Sequence, residues 1–239
     1  LALVAAVALA GCGGLGGDSG TPTEQSPTTT TPNATTPTDG PYALPLDGAE
    51  VLDRHRTVLT DAAKFDFRRT VVTRTVASNT TVEYHDEIAA VDIRNDTYRV
   101  VRNETGVPLT EVYAGSTGNR YLRQQTVNGT AYDRQNRTGK GSEGYLAPGI
   151  ERHLDEFEYS YEGTQRVGND TVHVYVADRT ARLQVTDNGR IHSFRYVTIG
   201  SNSQGVELRY TIDLQYSQVG NATVTTPAWL GQAQEVTSD

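Results

Sequence analysis

Apolar and polar residues alternate with a period of two along most of this chain, most cleanly near its C-terminus. Val206, Leu208, Tyr210, Ile212, Leu214 and Tyr216 alternate with Glu207, Arg209, Thr211, Asp213, Gln215 and Ser217. Side chains of a strand point to opposite faces in turn, so this pattern predicts an antiparallel strand with one buried and one wet face. A less regular form of it marks 65–77, 80–93, 96–103, 107–114, 119–127, 130–135, 157–167, 170–178, 181–187 and 190–199. Asn128-Gly129, Asn169-Asp170 and Asn188-Gly189 sit between these segments, where left-handed backbone favours hairpin turns.

The period changes at two places. From Asp47 to Lys64, Leu52, Leu59, Ala62 and Ala63 recur at helical spacing, while Asp53, Arg54, Arg56 and Asp61 fall elsewhere on the wheel. That spacing predicts one amphipathic helix of about 16 residues. The segment 142–154 (SEGYLAPGIERHL) predicts a short helical insert interrupted at Pro148-Gly149. The fold class is therefore α+β, mainly antiparallel β. About ten or eleven strands in one sheet must curl or close. The expected architecture is a curved sheet or unclosed half-barrel wrapped over the N-terminal helix and the insert, in a single domain over 46–239.

The chain before that domain has a different character. Residues 1–10 read LALVAAVALA, an uncharged apolar run ending in Leu9-Ala10-Gly11-Cys12. It is too short to span a membrane and has the length of a signal-peptide core. With no Met and no charged segment before it, the run reads as the truncated remainder of such a peptide over 1–11. Small residues before a Cys form a lipobox, in which the thiol takes a diacylglyceryl group and cleavage leaves Cys12 as the N-terminus. Two acyl chains hold a protein stably where one does so only marginally. Cys12 is thus expected to anchor the protein in membrane lipid, with the domain at the outer face of the cytoplasmic membrane. Residues 12–45 hold six of the nine prolines and the run TPTEQSPTTTTPNATTPT. Such a segment cannot bury enough surface to offset its ordering entropy, and it reads as a Thr/Pro-rich stalk, plain or O-glycosylated.

Composition narrows the function classes. The net charge is −8, the pI is near 5.1 and the mean hydropathy is −0.51. A nucleic-acid partner would need a basic stripe, and none is present. One Cys excludes a disulfide framework and a Cys-based zinc site. Eight of eleven Asn begin an Asn-X-Ser/Thr sequon: Asn33, Asn79, Asn95, Asn103, Asn128, Asn136, Asn169 and Asn221. Ser and Thr together are 44 of 239 residues, so chance gives about two such sequons. N-glycosylation at some of them is expected, although Asn95, Asn128 and Asn169 also suit hairpin turns.

Candidate chemistry is sparse. No HExxH, EF-hand, Walker A or GxSxG motif occurs. His85-Asp86-Glu87 is a donor cluster on a strand, where neighbours point to opposite faces and cannot share a metal without a bulge. His173 and His192 could pair across adjacent strands, but a third ligand is not evident. Ser116 reads as part of a turn, and Glu151, Asp155, Glu156 and Glu158 as a solvated acidic face. Arg68, Arg69, Arg99 and Arg102 have two readings: a basic patch for lipid head groups, or cross-strand pairing with acids. No metal, cofactor or catalytic residue is assigned.

The lipobox, the Thr/Pro stalk, the amphipathic helix, the run of strands and Pro227-Ala228-Trp229 together resemble uncharacterised haloarchaeal cell-surface lipoproteins. Those are similar to the LolA/LppX group of lipoprotein carriers. The resemblance covers 46–230 and implies an unclosed barrel with a cavity for an acyl chain or other apolar ligand. Thirteen Tyr and four Phe could line such a cavity or fill an ordinary core. Cavity candidates are Phe194, Tyr196, Leu208, Tyr210, Ile212 and Leu214. Three functions stay open: a non-catalytic carrier or chaperone for a hydrophobic ligand, a structural or protein-interaction module of the envelope with a filled core, and an extracellular enzyme. The first is preferred; the envelope protein partner is unknown.

Overall fold

A computed structural model describes residues 40–136, 141–178 and 180–236, all within one unit, Pro37–Asp239. Helix α1 spans Gly48–Ala62. Asp47 caps it, its carboxylate accepting from the Ala49 and Glu50 N–H groups at 2.9 and 3.1 Å. Ala63 ends it in left-handed backbone with φ 64°, donating to the Leu59 and Thr60 carbonyls. Both ends thus satisfy backbone groups that a bare helix leaves unpaired.

Eleven strands follow: β1 (Lys64–Thr75), β2 (Thr81–Asp92), β3 (Thr97–Glu104), β4 (Val107–Ala114), β5 (Asn119–Thr126), β6 (Gly129–Asn136), β7 (Ser160–Val167), β8 (Asp170–Ala177), β9 (Ala181–Thr186), β10 (Ile191–Ser201) and β11 (Glu207–Ser217). Between β6 and β7 lies the insert, a 3-10 turn at Gly141–Tyr145 and a short helix α2 at Glu151–Leu154. They form one antiparallel sheet in the order β6-β5-β4-β3-β2-β1-β11-β10-β9-β8-β7. Two meanders meet where β1 pairs with β11, and β6 and β7 remain as open edges. The expected unclosed, mostly β architecture is therefore observed.

Three local features depart from the pattern-based expectation. Strand β7 starts at Ser160 rather than at 157, because Tyr159 turns into the core and is 8% exposed. A helix α3 (Leu230–Val236) ends the described chain. Residues 40–45, grouped by composition with the stalk, pack on the domain. There Tyr42 is buried, its hydroxyl donating to the Gly189 carbonyl at 2.6 Å, and the Tyr175 hydroxyl donates to the Tyr42 carbonyl at 3.1 Å. Gly189 holds a φ of 86°, and a Cβ there would meet Arg54 at 2.4 Å, so this turn requires glycine.

The sheet has an inner face, against which α1 packs, and an outer face. The inner face carries the core: Phe65, Phe67, Ala89, Val91, Tyr98, Val100, Leu183, Phe194, Leu214 and Tyr216 join Val51, Leu52 and Leu59 of α1 and Ile150 and Leu154 of the insert. His55 is buried among them, four residues before Leu59 and three after Leu52. Its Nδ1 accepts from the Ile191 N–H at 3.2 Å, and its ring meets Tyr216 edge-on at 4.5 Å. This bond ties helix to sheet only while the imidazole is neutral. Burial, above all, lowers its pKa from the ordinary 6.5 to about 3.

The C-terminal segment crosses the outer face of β3 to β6. Trp229 Nε1 donates to Glu111 at 2.9 Å, and its ring lies 6.2 Å from that of Tyr132. Arg99 and Arg123 each reach Glu111 at 3.1 Å. Burial alone would raise the Glu111 pKa, but the indole N–H and the two guanidinium groups outweigh it and lower it.

Two predictions follow from these contacts. Since the folded pKa of His55 lies below its unfolded value, the unfolded chain takes up the proton first as pH falls. Its contribution is complete above about pH 6.5 and declines toward pH 3, by about 1.4 kcal/mol per pH unit. Urea unfolding at pH 7 and pH 5 should show wild type losing about 2 kcal/mol more than His55→Gln over that interval. His192, also lowered chiefly by burial, titrates in both proteins and cancels in the difference. Separately, Trp229→Phe keeps an aromatic, though smaller, ring but removes the N–H, and should cost about 1–2 kcal/mol by the same unfolding measurement at pH 7.

Candidate ligand-binding face

The six cavity candidates come together on β10 and β11. Pairing sets Phe194 opposite Leu214, Tyr196 opposite Ile212, Thr198 opposite Tyr210 and Gly200 opposite Leu208. Even-numbered residues of both strands therefore share the inner face, and the six form one apolar stripe. The stripe has two parts. Phe194 and Leu214 are fully buried in the core, and Tyr196 is covered by the His153 ring at 4.1 Å. Toward the other end Tyr210 is half-buried, as is Val71, which lies opposite Ile212 on β1. Both pack against the core cluster, while Ile212 and Leu208 beside them are buried, each 8% exposed.

Beside this stripe the inner face changes from apolar to charged. In β1 the inner positions are Phe65, Phe67, Arg69, Val71 and Thr73. In register with Arg69 stand Glu87 on β2 and then Arg102 on β3. Arg102 Nε donates to Glu87 Oε2. Tyr145 of the insert lies over this row, its ring 6.0 Å from Phe67 and 5.4 Å from Tyr98. Burial chiefly, then the Glu87 charge, raises the Tyr145 pKa, so its hydroxyl stays protonated. Burial by itself would lower the Arg102 pKa; the Glu87 charge outweighs it. One row further, His85 Nδ1 lies 3.4 Å from Glu104. The face is thus an apolar stripe bordered on the β2 and β3 side by a charged row.

Cross-strand pairing accounts for three of the four arginines. Arg68 holds Asp86 through two bonds of 2.9 and 3.1 Å on the outer face, Arg99 holds Glu111, and Arg102 holds Glu87. Arg69 alone of the four has no hydrogen bond or ion pair. Position-by-position reading of the strands missed this row because it is assembled from three strands. The available signal was one charged residue at an inner position of β1, between Phe67 and Val71.

The remaining candidates separate. His85 and Asp86 face opposite sides, as alternation requires. His173 and His192 are not on neighbouring strands, because β9 lies between β8 and β10. His173 instead bonds the Asp187 carboxylate at 2.7 Å and the Tyr161 hydroxyl at 3.0 Å, and His192 lies 3.8 Å from Asp170. Among the described residues no group of three or more His, Cys, Asp or Glu is placed to hold a metal ion. Ser116 lies in the β4–β5 turn. In the acidic run, Asp155 accepts from the Gly48 N–H at 3.0 Å and Glu156 bonds His153. Asn79, Asn95, Asn103, Asn128, Asn136, Asn169 and Asn221 are all exposed. Asn33 and Cys12 lie outside the described residues.

Comparison with known proteins gives a family and distant structural likenesses. No curated protein matches the sequence. A LolA superfamily protein from Nitrosomonas europaea has 10% identity and a TM-score of 0.28, with 76% of this chain and 95% of that chain covered. A DUF1329 family protein from Desulfovibrio piger has 9% identity and a TM-score of 0.28, covering 76% and 94%. The model of the family described as "Family of unknown function (DUF7537)" matches residues 1–178 of the 239. The chain belongs to that family.

Proposed function

We propose that this protein is a lipid-anchored domain of the cell surface that holds a lipid or other hydrophobic ligand on the inner face of its sheet, without catalysis. The observation that carries the reading is the mismatch between that face and its helical cover. Eleven strands spaced about 4.8 Å apart make a sheet about 48 Å wide, whereas a 15-residue helix is about 22 Å long. The helix seats where His55 meets Tyr216. Beyond it the apolar stripe continues through Ile212, Val71 and Tyr210 to Leu208; Ile212 and Leu208 are buried, while Val71 and Tyr210 between them are half-buried. An apolar surface that is bordered by polar groups and only partly covered suits a hydrophobic ligand. The lipobox at Cys12 and the Thr/Pro-rich segment after it support a tethered position outside the cell.

Two measurements test this. The apolar dye N-phenyl-1-naphthylamine should bind saturably, and Tyr210→Glu should weaken binding about tenfold or more by placing a charge on the stripe. A wild-type protein that takes up no dye would instead point to an envelope interaction module with a filled core. For the anchor, mass spectrometry of the N-terminal peptide of the protein from its source cells should show a diacylglyceryl group on Cys12, and Cys12→Ser should carry none; an unmodified Cys12 thiol in the wild type would exclude the anchor.

A further inference from the structure

Arg69 stands out among the arginines. Among the described residues the arginines without any hydrogen bond or ion pair are Arg69, Arg94, Arg134, Arg166 and Arg209, and all but Arg69 are solvent-exposed. A half-buried guanidinium loses hydration and, with no partner, gains nothing in return. Its surroundings are specific. Val71 is the next inner residue of β1, Leu214 is its partner on β11, and Glu87 is its partner on β2. Glu87 is already engaged by Arg102, and Glu104 of the next row faces His85. Glu83, two inner rows away on β2, is exposed and bonds Thr73. Among the described residues, then, no acid forms a hydrogen bond or ion pair with Arg69, the cation beside the stripe.

We propose that Arg69 binds the anionic head of an amphiphile whose hydrocarbon tail lies along Val71, Ile212, Tyr210 and Leu208. The inference rests on the hydrophobic-ligand reading above and names the ligand class: an anionic lipid with a phosphate or carboxylate head. A planar guanidinium gives such a head two parallel donors, and at a half-buried site these bonds are stronger than in open water. From Arg69 to Thr75 is six residues, about 20 Å of strand, enough to lie along an extended long alkyl chain.

The test uses the full chain, isothermal titration, and three probes: dodecyl phosphate, dodecanol and inorganic phosphate. Dodecyl phosphate should bind about tenfold tighter than dodecanol, and inorganic phosphate should bind far more weakly than either. Arg69→Gln should abolish the difference between the two alkyl probes, chiefly by weakening dodecyl phosphate. Arg69→Lys should restore part of the difference, and Arg209→Gln, an exposed arginine, should behave as wild type. Thermal unfolding of each variant confirms that it folds. Equal affinity for the two alkyl probes, or a difference that survives Arg69→Gln, overturns the role of Arg69 while the hydrophobic-ligand reading stands. Inorganic phosphate binding as tightly as dodecyl phosphate overturns it too, in favour of a free-anion site. If neither alkyl probe binds, both proposals fall.

Discussion

Ten residue pairs between β1 and β11, from Asp66 with Ser217 to Thr75 with Leu208, join the first strand of the domain to its last. Each meander alone is a series of local hairpins that forms with little loop-closure cost. Pairing their ends is the step that spans most of the chain, and its closure entropy must be offset by what the joined sheet buries. The seam places Phe65 and Phe67 beside Tyr216 and Leu214, and this is where α1 seats. His55 then bonds the Ile191 backbone while its ring meets Tyr216. Without the β1–β11 pairing neither the helix nor the insert has a continuous apolar face to cover.

The same seam determines where the cover ends. Rows near Phe67 and Tyr216 are closed by α1, Tyr145, Ile150 and Leu154. In the next rows Val71 and Tyr210 are only half-buried, although their partners Ile212 and Thr73 are buried. The change from core to open face coincides with the row Arg102, Glu87, Arg69, Leu214, in which charged and apolar partners stand side by side. Charges are costly at this depth unless paired, and Arg102 with Glu87 under the Tyr145 ring meets that condition. Arg69 does not, and so the boundary carries a polarity that a plain core edge would lack. Sheet edges give a second constraint. Strand β6 is short and polar, with Asp133 and Arg134 exposed, which blunts edge-to-edge pairing of an unclosed sheet.

Much of the fold was legible in the sequence because its signals are local. The alternation in β11, the turn residues between strands, the Asp47 cap and the interruption at Pro148-Gly149 each act within a few residues. The stripe of Phe194, Tyr196, Leu208, Tyr210, Ile212 and Leu214 was legible for the same reason, since alternation assigns all six to one face. What was not legible depends on register. Nothing local says that β1 meets β11, or that Arg69, Glu87 and Arg102 line up in one row. His55 sat at apolar spacing in the helix, yet its value as an acceptor appears only when Ile191 is placed against it. Tyr42 was hidden by its Pro-rich neighbourhood, and α3 is seven residues long with Gly231 near its start, too short for a periodic signal.

The proposed function requires that the half-buried part of the inner face hold a hydrophobic ligand. Native mass spectrometry of the protein, purified from its source cells without detergent, tests it most directly. A discrete added mass that leaves on denaturation and is identified as a lipid is expected. A polypeptide with no mass beyond covalent modifications, and taking up no added lipid, would refute it.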